Sequence, residues 1–129
     1  MTRSRPRLLE VHGTPLAVRL AGDARKPALL LIHGFPSSSA SFRRVIGPLA
    51  RECFVVAPDL PGFGASQPIE GPTFSRFADL VDGLLAQLGI ESFLIVQNAN
   101  AHLSVLGAQW AATRGTIPRR CGWPRPART

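Results

Sequence analysis

Two short stretches gather the residue types that can turn a backbone donor into a cleft. His33-Gly34-Phe35-Pro36 directly follows five apolar residues, Ala28 to Ile32. A glycine there lets the chain turn sharply, and the proline fixes the next φ. The backbone N–H of Phe35 could then face a ligand oxygen instead of a strand neighbour. The second stretch, Asp59-Leu60-Pro61-Gly62-Phe63-Gly64-Ala65-Ser66, follows another apolar run, Cys53 to Ala57. Taken singly, each stretch is explained equally well by a tight strand-to-helix turn. Other chemistries have less to stand on. Cys53 and Cys121 are isolated, Cys53 reads as a buried strand residue, and no Cys/His/Asp grouping has metal-ligand spacing. No metal site is expected. No phosphate loop follows a strand, and Gly62-Phe63-Gly64 lacks the third glycine of a dinucleotide fingerprint. No cofactor is expected either.

The elements that must carry these loops are legible. Leu8 to Leu20 alternates and breaks at His12-Gly13, which predicts a β-hairpin. Ala28 to Ile32 and Cys53 to Ala57 are apolar on both faces, as in the middle of a parallel sheet. Between them Phe42, Val45, Ile46 and Leu49 share one helical face, with Pro48 expected to kink or shorten the last turn. Thr73 caps a stronger helix. Its apolar positions include Phe77, Ala78, Val81, Leu84, Leu85 and Leu88, and Gly89 is its C-terminal stop. A third apolar strand, Phe93 to Val96, follows. Strand, helix, strand, helix, strand behind a hairpin reads as α/β with parallel strands and helices on both faces. Ligands of such sheets bind beyond the carboxyl ends of the strands, where both loops fall.

The chain has 129 residues, 45% of them hydrophobic, and a formal net charge of +7. That length bounds it to one domain or less, and the composition excludes disorder over most of it. The charge is unevenly spread. Residues 1–26 hold six Arg or Lys against two acids, residues 27–100 four against six, and residues 101–129 five against none. The basic excess therefore sits in the ends rather than on the fold, so nucleic-acid binding is not expected. No apolar run approaches a membrane span and no signal-peptide core is visible near Met1, so neither membrane association nor export is expected. The two cysteines give no disulfide framework, and a cytoplasmic setting is the expectation. Residues 8–97 read as the core, 98–114 as a helical segment through Leu103, Leu106 and Trp110, and 115–129 as a disordered Arg/Pro-rich tail.

Together, in this order and topology, the two loops resemble the α/β-hydrolase family over roughly Val11 to Gln97. His33-Gly34-Phe35-Pro36 resembles the H-G-x-P motif of its epoxide-hydrolase and haloalkane-dehalogenase branch. Asp59 to Ser66 resembles the D-x-x-G-x-G-x-S loop found widely in the superfamily. The resemblance implies a hydrolase acting on epoxide, carbon–halogen or ester bonds of a small molecule, with no cofactor. It implies that Phe35 lends its backbone N–H to an oxyanion hole, and that Phe35 and Pro36 line the substrate pocket. His33, Gly34, Asp59, Gly62, Gly64 and Ser66 would hold the loops.

The family's nucleophile sits on a sharp elbow after the next strand, between small residues. Here Asn98 is nearest to that position but is flanked by Val96 and Asn100, and an amide cannot attack as a carboxylate does. Asn100 and Ser104 are also bounded by non-small residues. No nucleophile is identifiable. The downstream acid and general-base histidine are absent too: His12 lies in the hairpin turn, His33 in the first loop, and His102 after no recognisable strand. Phe93 to Arg114 is similar to a later family segment leading into the cap. The expectation is therefore the N-terminal, incomplete part of a hydrolase sheet, truncated by an internal deletion and frameshift and without turnover. The alternative is a non-catalytic partner-binding protein built on that half sheet. In either case the open edge at Phe93 to Val96 invites self-association.

Overall fold

A computed structural model describes residues 5–34 and 37–97. The hairpin consists of β1, Arg7–Val11, and β2, Thr14–Ala21. Val11 pairs with Thr14, so His12 and Gly13 make the turn alone, at φ 50 and 77. Two successive positive φ values match a type I′ turn, whose twist suits the strands it joins. The remaining strands are β3, Ala28–Ile32, β4, Phe54–Pro58, and β5, Phe93–Gln97. They form one five-stranded sheet in the order β1-β2-β4-β3-β5. β2 runs antiparallel to β4, whereas β3 runs parallel to both β4 and β5.

The period-2 alternation of these strands feeds two cores. Leu30, Ile32 and Val56 face helix α2, Phe74–Gln87, and meet Phe77, Val81, Leu84 and Leu85. Leu29, Leu31, Val55 and Ala57 face the other way, against Ile46 of helix α1, Arg43–Leu49. Each fully buried aliphatic side chain contributes about 1.5–3 kcal/mol. Every residue of β3 and β4 is buried, as their doubly apolar sequence requires. β5 is less covered: Phe93 is buried, while the residues from Leu94 to Gln97 are half-buried.

The α2 boundaries follow from capping. The Thr73 hydroxyl accepts the Arg76 N–H at 3.1 Å. At the other end Gly89 adopts φ 74, and the N–H groups of Gly89 and Ile90 return to the carbonyls of Ala86 and Leu85. α1 departs from the sequence expectation. A 3₁₀ turn over Ser39–Phe42 precedes it, so the α-helical phase begins only at Arg43. Ile46 is buried, but Val45, expected on the same inner face, is 45% exposed. Pro48 lies within the last turn, and the helix stops at Leu49. Cys53 is fully buried just ahead of β4 rather than within it. No helix among the described residues is long and apolar enough to cross a membrane.

Candidate functional site

β3 ends at Ile32 and β4 at Pro58, so His33 and Asp59 are each the first residue beyond the carboxyl end of its strand. The strands are parallel neighbours, about 4.8 Å apart, and the two loops therefore leave the sheet side by side. Both residues are buried, with His33 at 0% and Asp59 at 2% exposure. A buried ionisable side chain needs its hydrogen bonds satisfied. Here the partners are backbone groups.

Asp59 joins three segments. Its Oδ1 accepts the Ser39 N–H at 2.6 Å, and its Oδ2 accepts the Ala65 N–H at 3.0 Å. Its own N–H donates to the Ala17 carbonyl at 2.8 Å. Ser66 completes the link: its hydroxyl donates to the Asp59 carbonyl at 2.6 Å and accepts the Ala17 N–H at 2.8 Å. Gly64, at φ 54, passes so close to the Asp59 carboxyl that a Cβ there would collide with it. Small size at residue 64 is thus a condition for the carboxyl to sit where it does.

His33 is held through both ring nitrogens. The Leu60 N–H can only donate, so Nε2, 2.9 Å away, accepts. Nδ1 then carries the proton, directed at the Gly34 carbonyl at 2.8 Å. The Phe63 ring lies 5.6 Å from the imidazole, tilted by 57°. Burial pushes the His33 pKa below its usual 6.5, opposed by the Gly34 carbonyl and by the negative charge of Asp59. The neutral ring is also the only form that can receive the Leu60 donor.

The consequence is that His33 and Ser39 are both tied to one dipeptide, Asp59-Leu60. His33 accepts from Leu60, and Ser39 donates to Asp59. An apolar groove of about 660 Å³ lies along the second loop and the start of α2, with Phe63, Ile69, Pro72 and Phe77 among its walls.

The sequence singled out His33, Gly34, Asp59, Gly62, Gly64 and Ser66, and all six lie in this cluster of two loops. Phe35, Pro36 and Asn98 lie outside the described residues, as do residues 98–114 and 115–129. Sequence reasoning missed four participants. Ala17 and Leu60 act only through backbone groups, which leave no trace in residue type. Ser39 stands in the run Ser37-Ser38-Ser39, where nothing distinguishes it. Arg19, on β2, donates from Nε to the Ser39 hydroxyl at 2.8 Å and reads in sequence as a solvated hairpin position. Among the described residues no three His, Cys, Asp or Glu side chains converge as metal ligands would.

The family described by the alpha/beta hydrolase fold matches residues 27–96. An uncharacterized hydrolase of Saccharomyces cerevisiae is 43% identical over 83 residues, covering 63% of this chain and 29% of its own length. Epoxide hydrolase A of Mycobacterium tuberculosis is 41% identical over 90 residues, covering 66% of this chain and 28% of its own. A haloalkane dehalogenase loop variant from Bradyrhizobium elkanii superposes with a TM-score of 0.81 at 31% identity, over 92% of this chain and 39% of that structure. The chain spans less than a third of the length of such curated relatives.

Proposed function

Because the chain belongs to the α/β-hydrolase fold family, we propose that residues 8–97 form the oxyanion-hole end of a small-molecule hydrolase sheet. The observation that carries this reading is that His33 and Ser39 are both tied to Asp59-Leu60, beyond the carboxyl ends of β3 and β4. A preorganised donor stabilises a developing oxyanion because no reorganisation is needed when charge appears. Phe35 supplies that donor through its backbone N–H. Phe35 and Pro36 border the substrate, and His33, Gly34, Asp59, Gly62, Gly64 and Ser66 hold the two loops in register. The named relatives include an epoxide hydrolase, a fluoroacetate dehalogenase and a haloalkane dehalogenase. The substrate class is accordingly a small epoxide or organohalide, and the apolar groove beside Phe63 suits its hydrocarbon part. The reading calls for neither metal nor cofactor.

These 129 residues write no nucleophile between small neighbours after β5, so the chain alone is expected to give no turnover. Loss of such a group removes on the order of 10⁶-fold in rate in a triad enzyme. Two measurements test the proposal. Titration of the chain with methylphosphonate, a tetrahedral oxyanion mimic, is expected to shift the Phe35 amide resonance. An unmoved Phe35 amide would sink the oxyanion assignment. Exposure to p-nitrophenyl acetate and to styrene oxide is expected to give no burst, and a covalently labelled residue would overturn the inactive reading.

A further inference from the structure

The segment that joins the second loop to α2, residues 67–72, is a wall shared by two hollows. Pro68 and Ile69 line the apolar groove and also a polar crevice of about 490 Å³, which Thr14 of the hairpin, Glu70 and Asp79 border as well. Pro68 and Pro72 carry no N–H, so the segment can donate few hydrogen bonds of its own. Its carbonyls do the fastening instead. Gln67 accepts the Gly62 N–H at 3.1 Å, and Glu70 accepts from Nη1 of Arg76, in the first turn of α2. Gly71 takes φ 59, and a Cβ there would come within 3.3 Å of the same Nη1. Arg76 is thereby engaged twice at this junction. Its backbone N–H reaches the Thr73 hydroxyl at 3.1 Å, and its guanidinium reaches back past Gly71 to Glu70. A charged donor on a carbonyl makes a stronger bond than a neutral one.

We propose that Arg76 is a positioning residue for the apolar groove: by holding the Glu70 carbonyl it keeps Ile69 and Pro72 in place as a wall for the hydrocarbon part of a small ligand. A wall already in place spares the ligand the cost of ordering it. The ligand half of this inference rests on the reading of the groove as the seat of a substrate's hydrocarbon part, whereas the fastening is testable without any ligand. Backbone order parameters for the amides of Ile69, Glu70 and Gly71 are measured in the full chain for wild type, Arg76→Ala and Arg76→Lys. Values of about 0.85 are expected in wild type and below about 0.6 in Arg76→Ala, with residues 29–31 unchanged. A carbonyl asks for one donor and not for the guanidinium fork, so Arg76→Lys is expected to restore most of the order. Chlorobutane, titrated against the Ile69 methyl and Phe77 ring resonances, is expected to bind about threefold more weakly in Arg76→Ala and close to wild type in Arg76→Lys. The urea midpoint of Arg76→Ala is expected to stay where it is, because the side chain is exposed.

Amides 69–71 that are already disordered in wild type, or equally ordered in Arg76→Ala, would overturn the fastening. A midpoint that falls together with the order parameters would make Arg76 a stability residue instead. Loosened amides with an unchanged chlorobutane affinity would overturn its bearing on the ligand. A wild type that ignores chlorobutane while Arg76→Ala loosens the segment keeps the fastening, and it removes the groove from the substrate reading along with the ligand half.

Discussion

Two aspartates each lie within two residues of a strand's carboxyl end, at opposite ends of neighbouring antiparallel strands, and they behave in opposite ways. Asp23 follows β2 and turns back on its own neighbourhood. It accepts the Arg25 N–H at 2.8 Å and pairs with the Arg25 guanidinium at 2.9 Å, the Arg25 side chain being 91% exposed and that of Asp23 37%. Arg25, bonding first through its side chain and then through its backbone, holds the Asp23 carboxyl below the usual carboxylate range. Asp59 follows β4, is buried, and joins residues 17, 39 and 65. The same side chain is a local turn former at one end of two neighbouring antiparallel strands and a long-range tie at the other. The pKa of the first is visibly moved by its ion pair, but that pair joins residues two apart and constrains little of the fold. Electrostatic prominence and structural consequence do not coincide in this chain.

Breaking the buried tie should give the largest effect. Asp59→Ala leaves the Ser39 and Ala65 N–H groups without their acceptor in a dry site, which costs about 2–5 kcal/mol. The urea midpoint should fall accordingly, and an unchanged midpoint would remove Asp59 from its central place. Gly64→Ala attacks the same carboxyl from the other side. Positive φ and the collision with Asp59 together are expected to cost about 1–3 kcal/mol by the same measurement. The neighbouring His33 adds a pH signature that Asp23 lacks near neutrality. Its folded pKa lies below 6.5, so the unfolded chain binds more protons between the folded value and 6.5. Its stabilisation is therefore complete above about pH 6.5 and is lost as pH falls through that window. The slope for one proton is at most ~1.4 kcal/mol per pH unit. His33→Phe should abolish that component, and a parallel pH profile would assign it elsewhere. The smallest effect belongs to the exposed pair: Asp23→Ala should leave the melting temperature unmoved at physiological salt.

Much of this arrangement is legible from residue types, and the reasons for the rest are specific. His12-Gly13 announces a two-residue turn because few residues accept positive φ. Thr73 and Gly89 bracket α2 through capping chemistry that depends on their own side chains, or on the lack of one. The face of α1 is narrower than its pattern suggests: Phe42 lies in the preceding 3₁₀ turn, out of helical phase, and within the helix Ile46 is buried while Val45 is 45% exposed. In the site, Asp59 and Gly64 stand out as an acid and a glycine in a loop between apolar segments. Leu60 and Ala17 do not, since their backbone groups would be the same in any non-proline residue. Arg19 stays hidden for a different reason. Its partner is 20 residues away and is chosen by the register of β2 on β4, which no local pattern encodes.

That register also sets an order of events during folding. The hairpin closes across two residues and can form within microseconds, whereas Val18 must find Pro58 across most of the intervening chain. β4 accepts β2 on one side and β3 on the other, so its arrival is the step on which both pairings wait. Until then Asp59 has none of its long-range partners. The bonds that tie His33 and Ser39 to Asp59-Leu60 should consequently form late, with the docking of β4, and a nascent chain halted before Phe54 should carry a formed hairpin without them.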